Sequence, residues 1–157
     1  MKLLKNHTLA QYLKVLSQKT PAPGGGSAAA LTAALGAALL SMAARYSIGK
    51  NSSKENDKKL EASLRESERF KKRLCTLIDL DAQAYWKVVK APRGSAAKKK
   101  ALAGARKVPL EVARLCCKAV SLAPFLVRRG NKYLLSDIVA AVELLLAGYK
   151  AAMVNAE

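Results

Sequence analysis

The feature that most constrains this chain is an uncharged run from Pro21 to Ala44, inside the segment TPAPGGGSAAALTAALGAALLSMAA that begins at Thr20. Two prolines and three consecutive glycines make a loop that feeds a helix, and Ser27 is placed to cap it by accepting from an orphan N–H group. Gly49 supplies the stop signal just after Ile48. Ala29, Ala33, Ala37 and Ser41 recur every four residues, a stripe of small side chains that lets a second helix approach closely. Leu31, Leu35, Leu39 and Met42 are expected to fill the space around it. A helix apolar on every face is buried, in a bundle or in a bilayer. The length suits a membrane span. Alanine and glycine dominate the run, however, and contribute little transfer energy. It has no aromatic belt, and the proline–glycine loop would strand backbone polar groups at the bilayer edge. The reading is therefore a soluble bundle with no membrane association.

At 157 residues the chain is one domain, 1–157, long enough to bury a core. β-branched residues are few and never alternate with period two, so the expected fold is all-α: a multihelical bundle whose long buried Ala/Leu helix follows the Gly-rich loop. The opening MKLLKNHTLAQYL is too polar for a secretory signal. Cys75, Cys116 and Cys117 lack the spacing of a disulfide framework, which points to a reducing, cytoplasmic setting. A single histidine, His7, near the terminus argues against a His-ligated metal site and a Ser–His–Asp triad, and no metal is expected. The charge is unusual, with 28 Lys+Arg against 11 Asp+Glu, a net +17. Between Asp81 and Glu111 lie eight basic residues, from Lys87 through Arg93 and Lys98–Lys100 to Lys107, and no acid. Such a field attracts polyanions, nucleic acid or a polyglutamylated cofactor among them. No nucleic-acid-binding motif accompanies it, and a solvated lysine face explains the same residues.

Along the chain, Thr8 caps a short amphipathic helix to Gln18 with Leu9, Tyr12, Leu13 and Leu16 on one face. Ser52 to Glu55 has a capping-box pattern opening a helix from about Lys54 to Lys90, polar first and apolar later, so one end should project from the body. Ala91-Pro92-Arg93-Gly94 breaks it. Ser95–Arg129 reads as a basic helix that becomes amphipathic, with kinks or a break expected at Pro109 and Pro124. Arg128-Arg129-Gly130 ends it, Gly130 at the position after the cap. Ser136-Asp137 opens a last helix with Ile138, Val139, Val142, Leu145, Leu146, Tyr149 and Met153 on its face.

Three places could carry chemistry. Gly24-Gly25-Gly26-Ser27 offers backbone N–H groups at a helix start, suited to a carboxylate, phosphate or oxyanion. A tight turn is the plain alternative. Asp79 and Asp81 sit with Tyr85 in an apolar stretch, and Asp81 and Tyr85 share a helix face. Such an acid is either solvated or a placed general base. Asn131 with Ser136-Asp137 stands at a helix-to-helix turn, where an aspartate is also a favourable dipole partner.

TPAPGGGSAAALTAALGAAL resembles the signature of the formiminotetrahydrofolate cyclodeaminase and methenyltetrahydrofolate cyclohydrolase family. The likeness continues in order through Asp81-Ala-Gln-Ala-Tyr85, Val108-Pro109-Leu110, Gly130-Asn131 with Ser136-Asp137, and Asn155. It covers nearly the whole chain, and the ordered set is far more specific than any one motif. Lys98–Lys100 stand where the family carries acidic residues and an arginine.

The resemblance implies a multihelical homodimer performing folate one-carbon chemistry without a metal or redox cofactor, with a tetrahydrofolate derivative as substrate. The reaction would be hydrolysis of 5,10-methenyltetrahydrofolate to 10-formyltetrahydrofolate, or cyclisation of 5-formiminotetrahydrofolate with loss of ammonia. The first is favoured, since no formiminotransferase domain is attached. By matching position, Asp81 and Asp137 are the acid/base candidates. Pro23, Gly24, Gly25, Gly26, Ser27, Tyr85, Arg93 and Asn131 are the substrate-binding candidates. The alternative is a catalytically silent relative whose basic segment 87–107 binds RNA or another polyanion.

Overall fold

The computed structural model describes residues 3–50 and 53–157. Among them, six α-helices and two short 3-10 turns appear and no strand. Helix α1 is Leu9–Leu16, α2 Gly25–Ser47, α3 Lys54–Lys90, α4 Ala96–Val120, α5 Ala123–Arg129 and α6 Leu135–Ala156. The 3-10 turns are Leu4–Asn6 and Lys132–Leu134.

Four helices, α2, α3, α4 and α6, form an up-down-up-down bundle whose directions follow from their contacts. Ser41 meets Ser67 and Gly49 meets Asp57, so α3 runs antiparallel to α2. Arg73 grips Glu111 through two hydrogen bonds of 2.7 and 2.8 Å, and Lys98 Nζ caps the Val88 carbonyl, so α4 returns along α3. A Cβ on Gly25 would meet Asn155, one on Gly148 would meet Ala33, and one on Gly36 would come within 2.8 Å of the Ala141 carbonyl. Helix α6 is therefore antiparallel to α2 along its whole length.

The small-residue stripe makes that approach possible. Ala29, Ala33 and Ala37 are essentially inaccessible, and Gly36 and Gly148 let the backbones close. Ser41 Oγ lies 3.0 Å from the Ala37 carbonyl and 2.9 Å from Ser67 Oγ of α3, its one proton serving both, and Ser67 donates to the Leu64 carbonyl, so a hydrogen-bonded polar pair crosses the core. Helix α2 is long and apolar enough to cross a membrane, with 61% of its apolar window buried inside the bundle.

Several expectations are corrected. Ser27 does not cap α2; Gly24 does, in an extended conformation, and Ser27 lies buried in the helix. The glycines can enter helical geometry themselves, which moves the start upstream. Leu9 and Leu13 of α1 are exposed at 69% and 52%, and Tyr12 alone is buried. Thr8 does cap α1, in a reciprocal capping box with Gln11. The residues expected to fill space around α2 include Leu35, which is exposed. Ser52 lies outside the described residues; Ser53 caps α3 by accepting from Asn56. The polar half of α3 packs after all, through a seam of Leu60, Ser63 and Ser67, whose hydroxyls find backbone acceptors. The other half overshoots: Asp81 is level with Ser27, and the nine residues to Lys90 run roughly 13 Å further. Pro109 sits inside α4 without ending it, whereas the chain does break before α5, with Pro124 in its first turn. Leu110 faces solvent. Gly130 is not left-handed; its φ is −83°, and glycine is needed because a Cβ would collide with the Leu126 carbonyl. Helix α6 starts at Leu135, and Val139, Leu146 and Met153 on its expected face are exposed.

Candidate active site

The glycines that start α2, the overshooting end of α3, the start of α4 and the end of α6 meet at one end of the bundle. They enclose a cavity of about 870 Å³. Gly24, Gly25 and Gly26 form one wall, with Pro21 and Ala22 from the preceding loop, and Asp81 and Tyr85 face them from α3. Lys99, Leu102 and Arg106, one face of α4, make the opposite wall, and Asn155 of α6 closes the side.

Asp81 sits on the backbone of α2. A Cβ on Gly26 would collide with its carboxylate, so only glycine lets the acid seat there. The Ser27 amide donates to that carboxylate. Burial pushes the Asp81 pKa up, and the Ser27 hydrogen bond pulls part of it back. A carboxylate half removed from water and held by a helix N-terminus is a poised proton acceptor. Behind it, Tyr12 and Ser27 pair hydroxyl to hydroxyl at 3.0 Å. Tyr85, 48% exposed, and Leu102, 47% exposed, give the cavity an apolar side, while Lys99 and Arg106 give it a cationic one.

Of the ten sequence-derived candidates, this cavity gathers Gly24, Gly25, Gly26, Asp81 and Tyr85. Pro23 and Ser27 are buried outside its wall. Arg93 is exposed on the turn beyond α3 and does not line it. Asn131 and Asp137 stand at the opposite end of α2, where the Asn131 amide donates to Ser47 Oγ at 2.7 Å and Asp137 occupies the first turn of α6. Twenty helical residues separate Ser27 from Ser47, about 30 Å at 1.5 Å each. Asp79 points away from the cavity and accepts the Leu4 amide at 2.6 Å, tying the N-terminal turn to α3. Among the described residues, no group of three or more His, Cys, Asp or Glu gathers that could hold a metal.

Sequence reasoning passed over Tyr12, Arg106 and Asn155 as site residues, and reached Lys99 only as one of the basic residues suited to a polyglutamate tail. Lys99 and Arg106 lie seven residues apart, two helical turns, but Lys100 and Lys107 share that spacing, so the pattern does not single them out. Tyr12 gave no signal beyond its place on an apolar face.

The family model described as formiminotransferase-cyclodeaminase matches residues 8–157. The methenyltetrahydrofolate cyclohydrolase of Methylorubrum extorquens is 34% identical, over 96% of this chain and 77% of that protein. The formimidoyltransferase-cyclodeaminase of Mus musculus is 29% identical over 97% of this chain, which spans only 30% of that longer protein. The crystal structure of formiminotetrahydrofolate cyclodeaminase from Thermotoga maritima superposes with a TM-score of 0.93 at 27% identity, covering 98% of this chain and 78% of that one.

Proposed function

The chain belongs to the formiminotransferase-cyclodeaminase family, and from that premise we propose that it is a folate one-carbon enzyme whose reaction is catalysed in the Asp81 cavity. Hydrolysis of 5,10-methenyltetrahydrofolate is favoured over cyclodeamination, because the cyclohydrolase relative is the more similar and is matched over most of its length. The observation that carries the reading is the seat of Asp81 on the Gly26–Ser27 backbone, facing a cavity large enough for a pterin and its one-carbon bridge.

In this reading the cationic N5–C–N10 bridge lies against the Asp81 carboxylate, with the rings on Tyr85 and Leu102. Asp81 takes a proton from a water as its oxygen bonds to the bridge carbon. The C–N5 bond then breaks, N5 accepts a proton, and the formyl group stays on N10. One water is consumed and one proton released. The free amides at the start of α2 stabilise negative charge developing on the added oxygen. Lys99 and Arg106 receive the substrate's carboxylates.

Two copies are proposed to meet through the outward faces of α2 and α6, where Leu35, Tyr46, Val139 and Leu146 are exposed and few charges interrupt the surface. A twofold axis across the middle of α2 sets the helices antiparallel. That arrangement carries the partner subunit's Asn131 and Asp137 toward the first copy's glycine loop, which would reunite the two motifs. A mixture of Asp81→Asn and Asp137→Asn subunits then regains about a quarter of wild-type activity, because half the random dimers keep one intact site. An Asp137→Asn protein that is fully active by itself would mean that each copy works alone. Free Cys75, Cys116 and Cys117 suit a cytoplasmic enzyme.

Methenyltetrahydrofolate absorbs in the near ultraviolet, and pure protein should remove that band faster than buffer does. A rate equal to buffer with both methenyl- and formiminotetrahydrofolate would defeat the proposal.

A further inference from the structure

Helix α1 is tied to the bundle in an unusual way. It buries one side chain, Tyr12, which is 4% exposed. A buried phenol needs a partner for its hydroxyl. That partner is Ser27 Oγ at 3.0 Å, and Ser27 is fully buried. Other buried helical serines turn their hydroxyls back on their own helix: Ser41 to Ala37, Ser47 to Ala43 and Ser63 to Lys59, each four residues upstream. Ser27 stands in the first turn of α2, with no helical carbonyl four residues upstream; its hydroxyl turns outward to Tyr12, and its amide holds Asp81. The chain of contacts is thus Tyr12 hydroxyl, Ser27 hydroxyl, Ser27 backbone, Asp81 carboxylate.

We infer that Tyr12 is a positioning residue for Asp81, acting through Ser27 to hold the first turn of α2 so that its amide stays on the carboxylate. The inference rests on the reading of Asp81 as the proton acceptor. Tyr12 does not line the cavity and touches no substrate. Its phenol stays protonated, since burial foremost, and the Asp81 charge as well, push its pKa up while the Ser27 hydrogen bond pulls it down. Without the Tyr12 hydroxyl, the buried Ser27 hydroxyl loses its partner and the first turn of α2 loses the contact that fixes it under the carboxylate.

Tyr12→Phe keeps the buried ring and removes only the hydroxyl. Ser27→Ala removes the other half of the pair. The charged and titratable groups facing Asp81 across the cavity, Tyr85 on α3, Lys99 and Arg106 on α4 and Glu157 after α6, are untouched in both. Each variant should lower kcat with little change in KM, and should move the acidic limb of the pH–rate profile upward by roughly half a unit or more, because a hydrogen bond favouring the charged carboxylate is weakened. The double variant should match the singles, as members of one linkage do.

A second readout does not need the reaction. The carboxyl carbon of Asp81, followed by NMR against pH, should titrate at a higher midpoint in Tyr12→Phe than in the parent. If that midpoint rises while neither folate reacts, the positioning role stands and the enzymatic reading falls. A loss of thermal stability with the Asp81 midpoint and the acidic limb unmoved would make Tyr12 a structural anchor only and overturn the inference.

Discussion

The two ends of α2 are built from similar materials to opposite ends. At its far end Ser47 bonds to Ala43, accepts the Asn131 amide, and packs where Gly130 crosses close to Leu126. Asn131 in turn accepts the Tyr133 amide. The polar groups there largely satisfy one another. At its near end the glycine backbone stays bare, Gly24 has open space where a Cβ would go, and the one carboxylate set against it is half stripped of water. A closed end stabilises the fold; an end left open around a desolvated acid stores reactivity. The lesson is that the same residue types, serine, glycine and a nearby acid, are assigned by which backbone groups the helix end leaves free and by what the other helices place opposite them.

The sharpest way to break this comparison is Gly26→Ala. Its Cβ displaces the Asp81 carboxylate, and turnover should fall about 10²- to 10³-fold, as expected for a misplaced catalytic group. Circular dichroism should show the fold retained. Gly36→Leu, midway along α2, acts on neither end. It forces α2 from the Ala141 backbone and should cost roughly 1–3 kcal/mol by overpacking, read by chemical denaturation. Ser47→Ala tests the closed end: the Asn131 amide loses its partner, and stability should drop by about 1 kcal/mol. The smallest effect is expected from Lys100→Gln beside Lys99→Gln. Lys99 lines the cavity and Lys100 does not, so KM should rise about three- to tenfold for the first and stay level for the second. Equal effects would mean that the basic segment acts through its total field, as a polyanion-binding surface would.

The bundle was legible because its signals are local. Thr8 before Leu9, Ser95 before Ala96 and the Pro92–Gly94 break each act over a few residues. The Ala29–Ala33–Ala37 stripe announced a close helix contact, although not that Gly148 would be its partner. The site was half legible. Asp81 and the glycines showed as motifs, while their meeting depends on the register of α3 against α2, a relation between segments that neither encodes alone. Lys99 and Arg106 were hidden among like charges, since only the rotation of α4 selects two of eight cations. Gly26 and Asp81 are 55 positions apart, and nothing in either motif says that one must be small for the other to seat.

Asp81→Asn tests the central claim most directly. Burial raises the pKa of Asp81, so the folded state holds its proton more tightly than the unfolded chain does. The stability from that protonated form is present below the unfolded value and lost as pH rises through the folded one. At neutral pH the ionised acid therefore weakens the fold, and the amide should melt at the parent temperature or a little above it. The same substitution removes the proton acceptor. With methenyltetrahydrofolate decay followed in the near ultraviolet, the account predicts turnover reduced about 10³-fold or more and folate affinity within about threefold of the parent. An Asp81→Asn protein that keeps its stability and still turns over at more than about a tenth of the parent rate would contradict it.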